Sequence, residues 1–433
     1  MNKNRILDER SNIYYDNTEL KVINEDKKIL TSQINKKLLK KELTFFNNQK
    51  KCSKLIVKKL CDRKILNVMV YALTQSGKTG TMISLLKNYI KKNIIPIENL
   101  YVITGLSSKE WVNQTKNRMP KCLSERIFHG NNLKKKFVND IQGKKNVLII
   151  IDEIQIAAKE GQLLHEAFNN AGFYNKETLL EKDIKFIEFT ATPDGNILDQ
   201  MDWGKHSSKI NMKSGRNYTS CFKLLKKGRV KQYKNLCGYD KDTGAVDATL
   251  IEQNFEELKK VINKYNKPRY HIIRSPNGKL IDVVINNFQN YFGNIKFHKY
   301  YSEGEIENIN ELLIQEPNQH EFIFIKEKLR CSKTIFKKYL GVAYERYTKY
   351  PDDAVIIQSL LGRLTGYDDN KETLIYTNID SVKKYEKLWK SDFEDKTINW
   401  KSKTTKRKNK ILISKGTFNN PILINGLIIK KNK

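Results

Sequence analysis

The chain has 433 residues, and its 80 lysines and arginines against 48 aspartates and glutamates give a formal net charge of +32. Hydrophobic residues make up 39% of the sequence, enough for the cores of two or three domains. No apolar run approaches the ~20 residues that a membrane span needs, and the N-terminus has no signal-peptide core. Six cysteines without zinc-like spacing are expected to be reduced thiols, so we predict an intracellular protein without a membrane partner.

The first residues, 1–44, are polar and predict an N-terminal arm. Between residues 45 and 205, four apolar segments alternate with helix-like sequence: VMVYAL, LYVITG, VLIII and FIEFTA. Alternation of this kind is typical of βαβ units, so we expect an α/β domain with a parallel sheet there. A second alternating block over 206–385 predicts a second α/β domain in tandem.

The last residues, 386–433, are expected to form a basic tail. The final 33 residues contain ten lysines and arginines and no acid. A charge run is usually a solvated segment, and contact with nucleic acid is the alternative. A surplus of +32 favours polyanions through counterion release, although an AT-rich genome would also enrich lysine.

The most specific motif is VMVYALTQSGKTGT at 68–81, an apolar strand followed by a tight loop and a helical pattern. Backbone N–H groups of such a loop, together with the helix N-terminus, can cradle polyphosphate. Lys78 is expected to reach the β- and γ-phosphates, and the Thr79 hydroxyl to ligate Mg²⁺. The predicted nucleotide-binding residues are Thr74, Gln75, Ser76, Gly77, Lys78, Thr79 and Gly80.

A second apolar strand, VLIIIDEIQ at 147–155, ends in two acids. Acids at the carboxyl end of a strand lie where open α/β sheets bind ligands. Asp152 is the expected second metal ligand, and Glu153 is expected to orient an attacking water. A chance loop beside a core strand capped by surface acids is the alternative, but the two motifs together indicate a nucleotide site.

Further motifs follow in an informative order: VITGLSSKEWVNQT, then FTATP at 189–193, then IFIKEKLR at 323–330 and IIQSLLGRLTGY at 356–367. With these, residues 45–385 resemble the superfamily 2 helicases, the DEAD/DEAH-like two-domain nucleic-acid-dependent ATPases. In detail the chain looks like the predicted helicases of large DNA viruses. The resemblance implies two RecA-like domains with ATP and Mg²⁺ in the cleft between them, and DNA or RNA as partner.

The resemblance also implies roles for particular residues. Gln155, in the Asp-Glu motif, would link the two domains, and a Thr-Ala-Thr motif would couple hydrolysis to domain movement. Short hydroxyls and a lysine after the second strand would grip the nucleic-acid backbone without reading bases. The coupling motif is Thr190, Ala191 and Thr192, and the nucleic-acid residues are Ser107, Ser108 and Lys109. A helix N-cap is the alternative role of the serines.

In the last motif, Gln358, Gly362, Arg363 and Gly366 match the family pattern, and Arg363 would reach the γ-phosphate. The family's second arginine is replaced by Tyr367, so Arg363 acts alone or Arg330 supplies the other guanidinium. Two further functions therefore stay open beside a helicase: a translocase that does not separate strands, and an ATP-gated nucleic-acid clamp or assembly factor with weakened ATPase.

An aromatic pair and a glutamine, Phe45, Phe46 and Gln49, precede the first strand, where the family often holds adenine. An aromatic pair before a helix is more often part of the core. The choice between DNA and RNA, the polarity and the oligomeric state are not encoded in a recognisable motif.

Overall fold

Two six-stranded parallel sheets organise the computed structural model, one in each of two units of the chain. The first unit comprises residues 1–218 and 390–433, and the second unit comprises residues 219–389. The structure describes residues 13–14, 44–91, 95–107, 109–119, 121–154, 162–193, 203–238, 247–276, 278, 280–293, 295–301, 306, 308–329, 333–395 and 397–402, and four strands beyond residue 404.

The first unit begins with a two-stranded antiparallel pair, β1 (Ile13–Tyr14) and β2 (Thr44–Phe45). Its parallel sheet has the order β5-β4-β6-β7-β3-β8. The six strands are β3 (Asn67–Tyr71), β4 (Leu100–Thr104), β5 (Ile127–His129), β6 (Val147–Asp152), β7 (Ile184–Thr190) and β8 (Ser207–Asn211). The helices are α1 (Asn47–Leu60), α2 (Lys78–Lys91), α3 (Lys109–Arg118), α4 (Val138–Ile141), α5 (Leu163–Asn170) and α6 (Lys176–Glu181).

Both faces of this sheet are covered, so residues on both sides of its central strands are buried, including Lys185 and Glu188 on β7. Successive side chains of a strand point to opposite faces. On β6, Leu148 and Ile150 join the apolar cluster that includes α1 and α2, whereas Ile149 and Ile151 join a second cluster rich in phenylalanine. The strand is therefore fixed from two sides, and the acids that follow it are held in place.

Beyond residue 205, β8 and a C-terminal segment also belong to the first unit. The strand β8 pairs in parallel with β3, with Asn67 opposite Ser207. Its sequence, SSKIN, places only Ile210 in the core, so it carries little apolar signal. The chain also returns to this unit after residue 389. There Asp392 accepts hydrogen bonds from the Tyr71 hydroxyl at 2.9 Å and from Asn211 Nδ2 at 3.0 Å.

The predicted basic tail contains secondary structure. Trp400 is fully buried, so it is not available to stack on a nucleic-acid base. Beyond it, four antiparallel strands form a separate sheet: β15 (Thr405–Lys408), β16 (Ile411–Ser414), β17 (Ile422–Ile424) and β18 (Leu427–Ile429). The sequence interpretation missed this sheet because its strands are only three or four residues long and β15 is entirely polar.

The second unit has a parallel sheet of order β11-β12-β10-β13-β14-β9. Its strands are β9 (Val230–Gln232), β10 (Tyr270–Arg274), β11 (Lys296–Tyr300), β12 (Glu321–Ile325), β13 (Leu340–Tyr344) and β14 (Leu374–Thr377). Its helices are α7 (Cys221–Lys226), α8 (Ala248–Ile262), α9 (Leu280–Phe292), α10 (Ile309–Leu313), α11 (Asp353–Gln358), α12 (Leu360–Leu364) and α13 (Ile379–Lys390). The prediction of two α/β domains with parallel sheets is confirmed.

A histidine pair lies in the second unit: His271 is buried on β10, and His320, just before β12, is half-buried. His271 Nε2 and His320 Nδ1 are 3.0 Å apart, and His271 Nδ1 accepts a hydrogen bond from the Val342 amide. Burial lowers the pKa of both imidazoles below the ordinary value of about 6.5. Above pH ~6.5 both folded and unfolded histidines are neutral. As the pH falls below about 6.5, the histidines of the unfolded chain bind protons while those of the folded chain stay neutral. The free energy of unfolding of the second unit therefore decreases.

We therefore expect His320→Gln to flatten the loss of second-unit stability as the pH falls from 7 towards 5. Amide hydrogen exchange in β10 and β12, recorded between pH 7 and pH 5, measures the stability of the second unit. His206→Gln, in the first unit, is the matched control. An identical pH dependence in wild type and His320→Gln would contradict the assignment.

Candidate functional site

The carboxyl ends of three neighbouring strands meet at one edge of the first sheet. In the register of the sheet, Tyr71 at the end of β3 lies opposite Thr190 at the end of β7, and Phe189 lies opposite Asp152 at the end of β6. The Ala72 amide also donates to the Thr190 carbonyl at 2.9 Å. The phosphate loop, the Thr-Ala-Thr motif and the Asp-Glu pair, which are widely separated in sequence, therefore share the edge at which such sheets bind ligands.

The phosphate loop turns sharply between β3 and α2. Gln75 and Gly77 both have positive φ, +54° and +106°, and the Ser76 hydroxyl donates to the Leu73 carbonyl at 2.7 Å. The fourteen-residue helix α2 begins immediately afterwards at Lys78. The unpaired N–H groups and the positive dipole end of a helix N-terminus favour an anion at this position.

A buried glutamine supports the loop from below. Gln49 on α1 donates from Nε2 to the Gly77 carbonyl, and its Oε1 accepts from the Phe46 amide at 2.9 Å. A Cβ at Gly77 would lie 2.7 Å from Gln49 Nε2, and one at Gly80 would lie 2.2 Å from it. The left-handed backbone of Gly77 favours glycine, and a Cβ at either Gly77 or Gly80 would require the Gln49 amide to shift. The suggested adenine role of Gln49 stays a prediction, whereas Phe45 lies in the core.

A nearly buried ion pair links the loop to the Asp-Glu motif. Lys78 Nζ lies 3.2 Å from Glu153 Oε1. Glu153 has a φ of +54°, and its amide donates to the Phe189 carbonyl at 2.9 Å. A non-glycine residue in the left-handed region stores strain that often accompanies function. The ammonium is thus held beside the carboxylate and would exchange this partner for a bound phosphate.

Asp152 fits the predicted magnesium ligand. Burial, followed by the negative charge of Glu153, raises the pKa of the Asp152 carboxyl to about 6. Its Oδ1 is buried and has no hydrogen-bond partner among the described residues. Thr79 follows Lys78 in the first turn of α2 and is partly exposed. Mg²⁺ binds through one or two protein oxygens together with phosphate and water, so a larger cluster of acids is not required.

Trp111 contributes to this site and was missed by the sequence interpretation. Its indole Nε1 donates to Asp152 Oδ2 at 3.0 Å, and both side chains are buried. This bond fixes the rotation of the carboxylate, as partners of metal ligands commonly do. Trp111 lies on α3, two residues after Lys109, so Asp152 and the predicted nucleic-acid segment are connected through one short helix. A tryptophan in a helical pattern predicts core packing, and the sequence contained no signal for this contact.

The remaining motif residues of the first unit are placed as follows. Thr190 Oγ1 accepts from the Thr192 amide at 3.1 Å, and Ala191 between them is buried. Ser107 is exposed just before α3. It lies close to Gly130, because a Cβ added to Gly130 would be 2.8 Å from Ser107 Oγ. Lys109 is the first residue of α3. The structure does not describe three of the predicted residues, Ser108, Gln155 and Arg330. It describes the backbone of Lys109 but not its side chain.

In the second unit, Arg363 is tied to backbone carbonyls of its own unit. It is 2% exposed, and its Nη1 and Nη2 donate to the Lys333 and Gln358 carbonyls at 2.6 and 3.3 Å. Gln358 ends α11, and Gly366 has a φ of +116° and pairs with Thr219. This guanidinium therefore joins two segments of the second unit. Its predicted contact with the γ-phosphate stays a prediction.

No helix in the described part of the chain combines the length and apolar character needed to cross a membrane. No model of a known protein family matches the sequence. The chain is similar to an uncharacterized protein of Acanthamoeba polyphaga mimivirus, with 28% identity over 362 residues that cover 78% of this chain and 85% of the viral protein.

Two solved helicase structures illustrate the likeness of the fold. S. cerevisiae Dbp5 bound to RNA and ADP BeF3 is 12% identical, with a TM-score of 0.49, over 86% of this chain and 93% of that protein. The Escherichia coli DEAH/RHA helicase HrpB is 13% identical, with a TM-score of 0.47, over 77% of this chain and 42% of that protein. Likeness at this level carries no inference about chemistry, which depends on the residues of the site.

Removing the indole N–H should disturb the metal ligand while keeping the ring. We expect Trp111→Phe to raise the Mg²⁺ concentration needed for nucleotide binding by about 10-fold, the lower end of effects at residues that orient metal ligands. Titration of Mg²⁺ against a fluorescent ATP analogue measures this. Trp203→Phe, the same substitution elsewhere in the first unit, should leave the titration unchanged. Identical curves for Trp111→Phe and wild type would refute the positioning role.

Removing the Arg363 guanidinium should destabilise the second unit, because two carbonyls lose a charged donor. Arg363→Ala should cost about 2–4 kcal/mol of unfolding free energy, and Arg363→Lys less, since an ammonium replaces one contact but not the planar fork. Denaturant unfolding, monitored through amide hydrogen exchange in β13 and β14, measures the loss of unfolding free energy. Unchanged stability with reduced ATP turnover would instead favour the nucleotide role.

Proposed function

We propose that this protein is an ATP-dependent nucleic-acid helicase or translocase of the superfamily 2 type. The observation that carries the proposal is the grouping of Lys78, Glu153 and Asp152 at one edge of the first sheet, with the lysine and Glu153 3.2 Å apart beside a glycine loop. A phosphate-binding lysine, a buried carboxylate with an unused oxygen and a second acid are the groups that phosphoryl transfer to water requires.

Each residue of the site has a separate role in the proposed hydrolysis of ATP. The loop amides and the α2 N-terminus bind the phosphates, and Lys78 moves from Glu153 to the β- and γ-oxygens. Glu153, released from the ion pair, holds the attacking water and accepts its proton. Asp152 and Thr79 would hold Mg²⁺, which when bound neutralises charge on the phosphates. Trp111 keeps the Asp152 carboxylate in one orientation.

The proposed polymer partner is single-stranded DNA or RNA. The formal charge of +32 favours a polyanion, and the exposed Ser107 and the adjoining start of α3 supply a hydroxyl and helix N–H groups suited to backbone phosphates. Affinity should therefore fall steeply with salt and depend little on base sequence.

A second candidate function is an ATP-gated nucleic-acid clamp with weak hydrolysis. Tyr367 stands at the family's second arginine, and the Arg363 guanidinium is engaged by the Lys333 and Gln358 carbonyls. Both observations favour a second unit that contributes little to phosphoryl transfer. The two functions differ in turnover: a translocase hydrolyses ATP continuously when nucleic acid is added, and a clamp binds nucleic acid without sustained hydrolysis.

Two substitutions in the first unit should have different effects on ATP binding and on ATP turnover. Lys78→Ala should weaken ATP binding and abolish turnover, because the phosphates lose their cation. Glu153→Gln should retain ATP binding and lose about 10²-fold or more in turnover, since only the proton acceptor is removed. Steady-state ATPase assays with and without single-stranded DNA and RNA, together with nucleotide-binding titrations, measure both effects.

The matched control is Lys87→Ala, which removes a partly exposed lysine from the same helix and should behave as wild type. Undiminished hydrolysis in Glu153→Gln would overturn the assignment of Glu153. Nucleic-acid binding by the wild type without any stimulation of turnover would favour the clamp.

A further inference from the structure

Two tyrosines project from a loop of the second unit that no motif of the sequence singled out. The loop, residues 345–352, joins the carboxyl end of β13 to the start of α11. Tyr350 is 70% exposed and Tyr347 is 42% exposed, although a tyrosine ring usually buries most of its apolar surface. Loops at the carboxyl ends of parallel strands are where open α/β sheets bind ligands.

The loop is held firmly from beneath. The Tyr233 hydroxyl donates to the Thr348 carbonyl at 3.0 Å, and the Tyr233 ring lies 5.3 Å from that of Tyr347. At the end of β13, the Tyr344 hydroxyl accepts from the Lys234 amide at 2.8 Å and donates to the Lys234 carbonyl at 3.1 Å. The exposed rings therefore stand on a braced backbone, so little conformational entropy would be lost when a ligand binds them.

The start of the loop is anchored by a buried ion pair. Glu345 Oε1 lies 2.6 Å from Arg274 Nε, and the same carboxylate accepts from the Arg346 and Leu360 amides. Because this acid is neutralised inside the unit, it does not add negative charge to the exposed side of the loop.

The surroundings of the rings are positive. Lys349 Nζ lies 5.9 Å from the centre of the Tyr350 ring, and Arg346 belongs to the same loop. Two acids of the region are paired with lysines, Asp353 with Lys384 and Glu257 with Lys234. Asp352 caps α11 by accepting a hydrogen bond from the Val355 amide. Exposed aromatic rings interleaved with cations on a braced loop are the combination that binds single-stranded nucleic acid.

We propose that Tyr350, together with Tyr347 and Lys349, forms a platform on which a base of single-stranded DNA or RNA stacks while Lys349 contacts the adjoining phosphate. This platform rests on the proposed function and adds to it a contact with the bases, beyond the backbone contacts expected at Ser107. Every base has a flat face, so stacking would increase affinity without selecting a sequence.

The test compares full-length wild type with Tyr350→Ala, Tyr350→Phe and Tyr347→Ala by fluorescence anisotropy on labelled oligonucleotides. Single-stranded DNA and RNA of one sequence form two arms, and an abasic oligonucleotide with the same backbone forms the third. Circular dichroism and thermal melting confirm that each variant is folded.

Stacking is worth about 5- to 150-fold per base when the ring is removed. We expect Tyr350→Ala to weaken binding of DNA, RNA or both by a factor in this range and Tyr350→Phe to retain wild-type affinity, because the ring carries the contact. On the abasic oligonucleotide, Tyr350→Ala and wild type should bind equally. Tyr347→Ala should give a smaller loss, since that ring is more buried.

Unchanged affinity of Tyr350→Ala for both DNA and RNA would overturn the platform and would point to a protein partner for the exposed rings. An equal loss on the abasic oligonucleotide would also overturn it, since base stacking would not then be responsible. Failure of the proposed function looks different: the wild type would bind no oligonucleotide and show no stimulated ATP turnover.

Discussion

The parallel pairing of β3, β7 and β6 is the constraint on which the candidate site depends. The register that sets Tyr71 opposite Thr190 and Phe189 opposite Asp152 aligns the three strand ends at one edge. A slip of one residue would turn every side chain of a strand to the opposite face. Burial of both faces of the sheet prevents this, so the apolar clusters that stabilise the fold also fix the spacing of the chemical groups.

The charges of this site are balanced only in part. Lys78 and Glu153 neutralise each other at 3.2 Å, while the neighbouring Asp152 carboxylate is buried, with a raised pKa and one oxygen bound by an indole. Burying a carboxylate without a full set of partners is costly. Such a group is a poor structural choice but a good cation ligand.

Two buried arginines of the second unit link segments of that unit. In the second unit, the Arg363 guanidinium joins the Lys333 and Gln358 carbonyls, and Arg229 bonds both oxygens of Asp369. Arginine's planar fork is suited to such links as well as to phosphate. A motif arginine can thus stabilise its own domain.

The sequence by itself determined the elements whose signal is local. Apolar strands followed by turn residues predicted both parallel sheets, and the glycine loop and the Asp-Glu pair predicted the edge at which they meet. The contact of Trp111 with Asp152, the pairing of β8 with β3, the docking of Asp392 on Tyr71 and the burial of Arg363 were decided only by the tertiary structure. Each depends on contacts that tertiary packing makes, and such contacts leave no periodic pattern in the sequence from which they could be inferred.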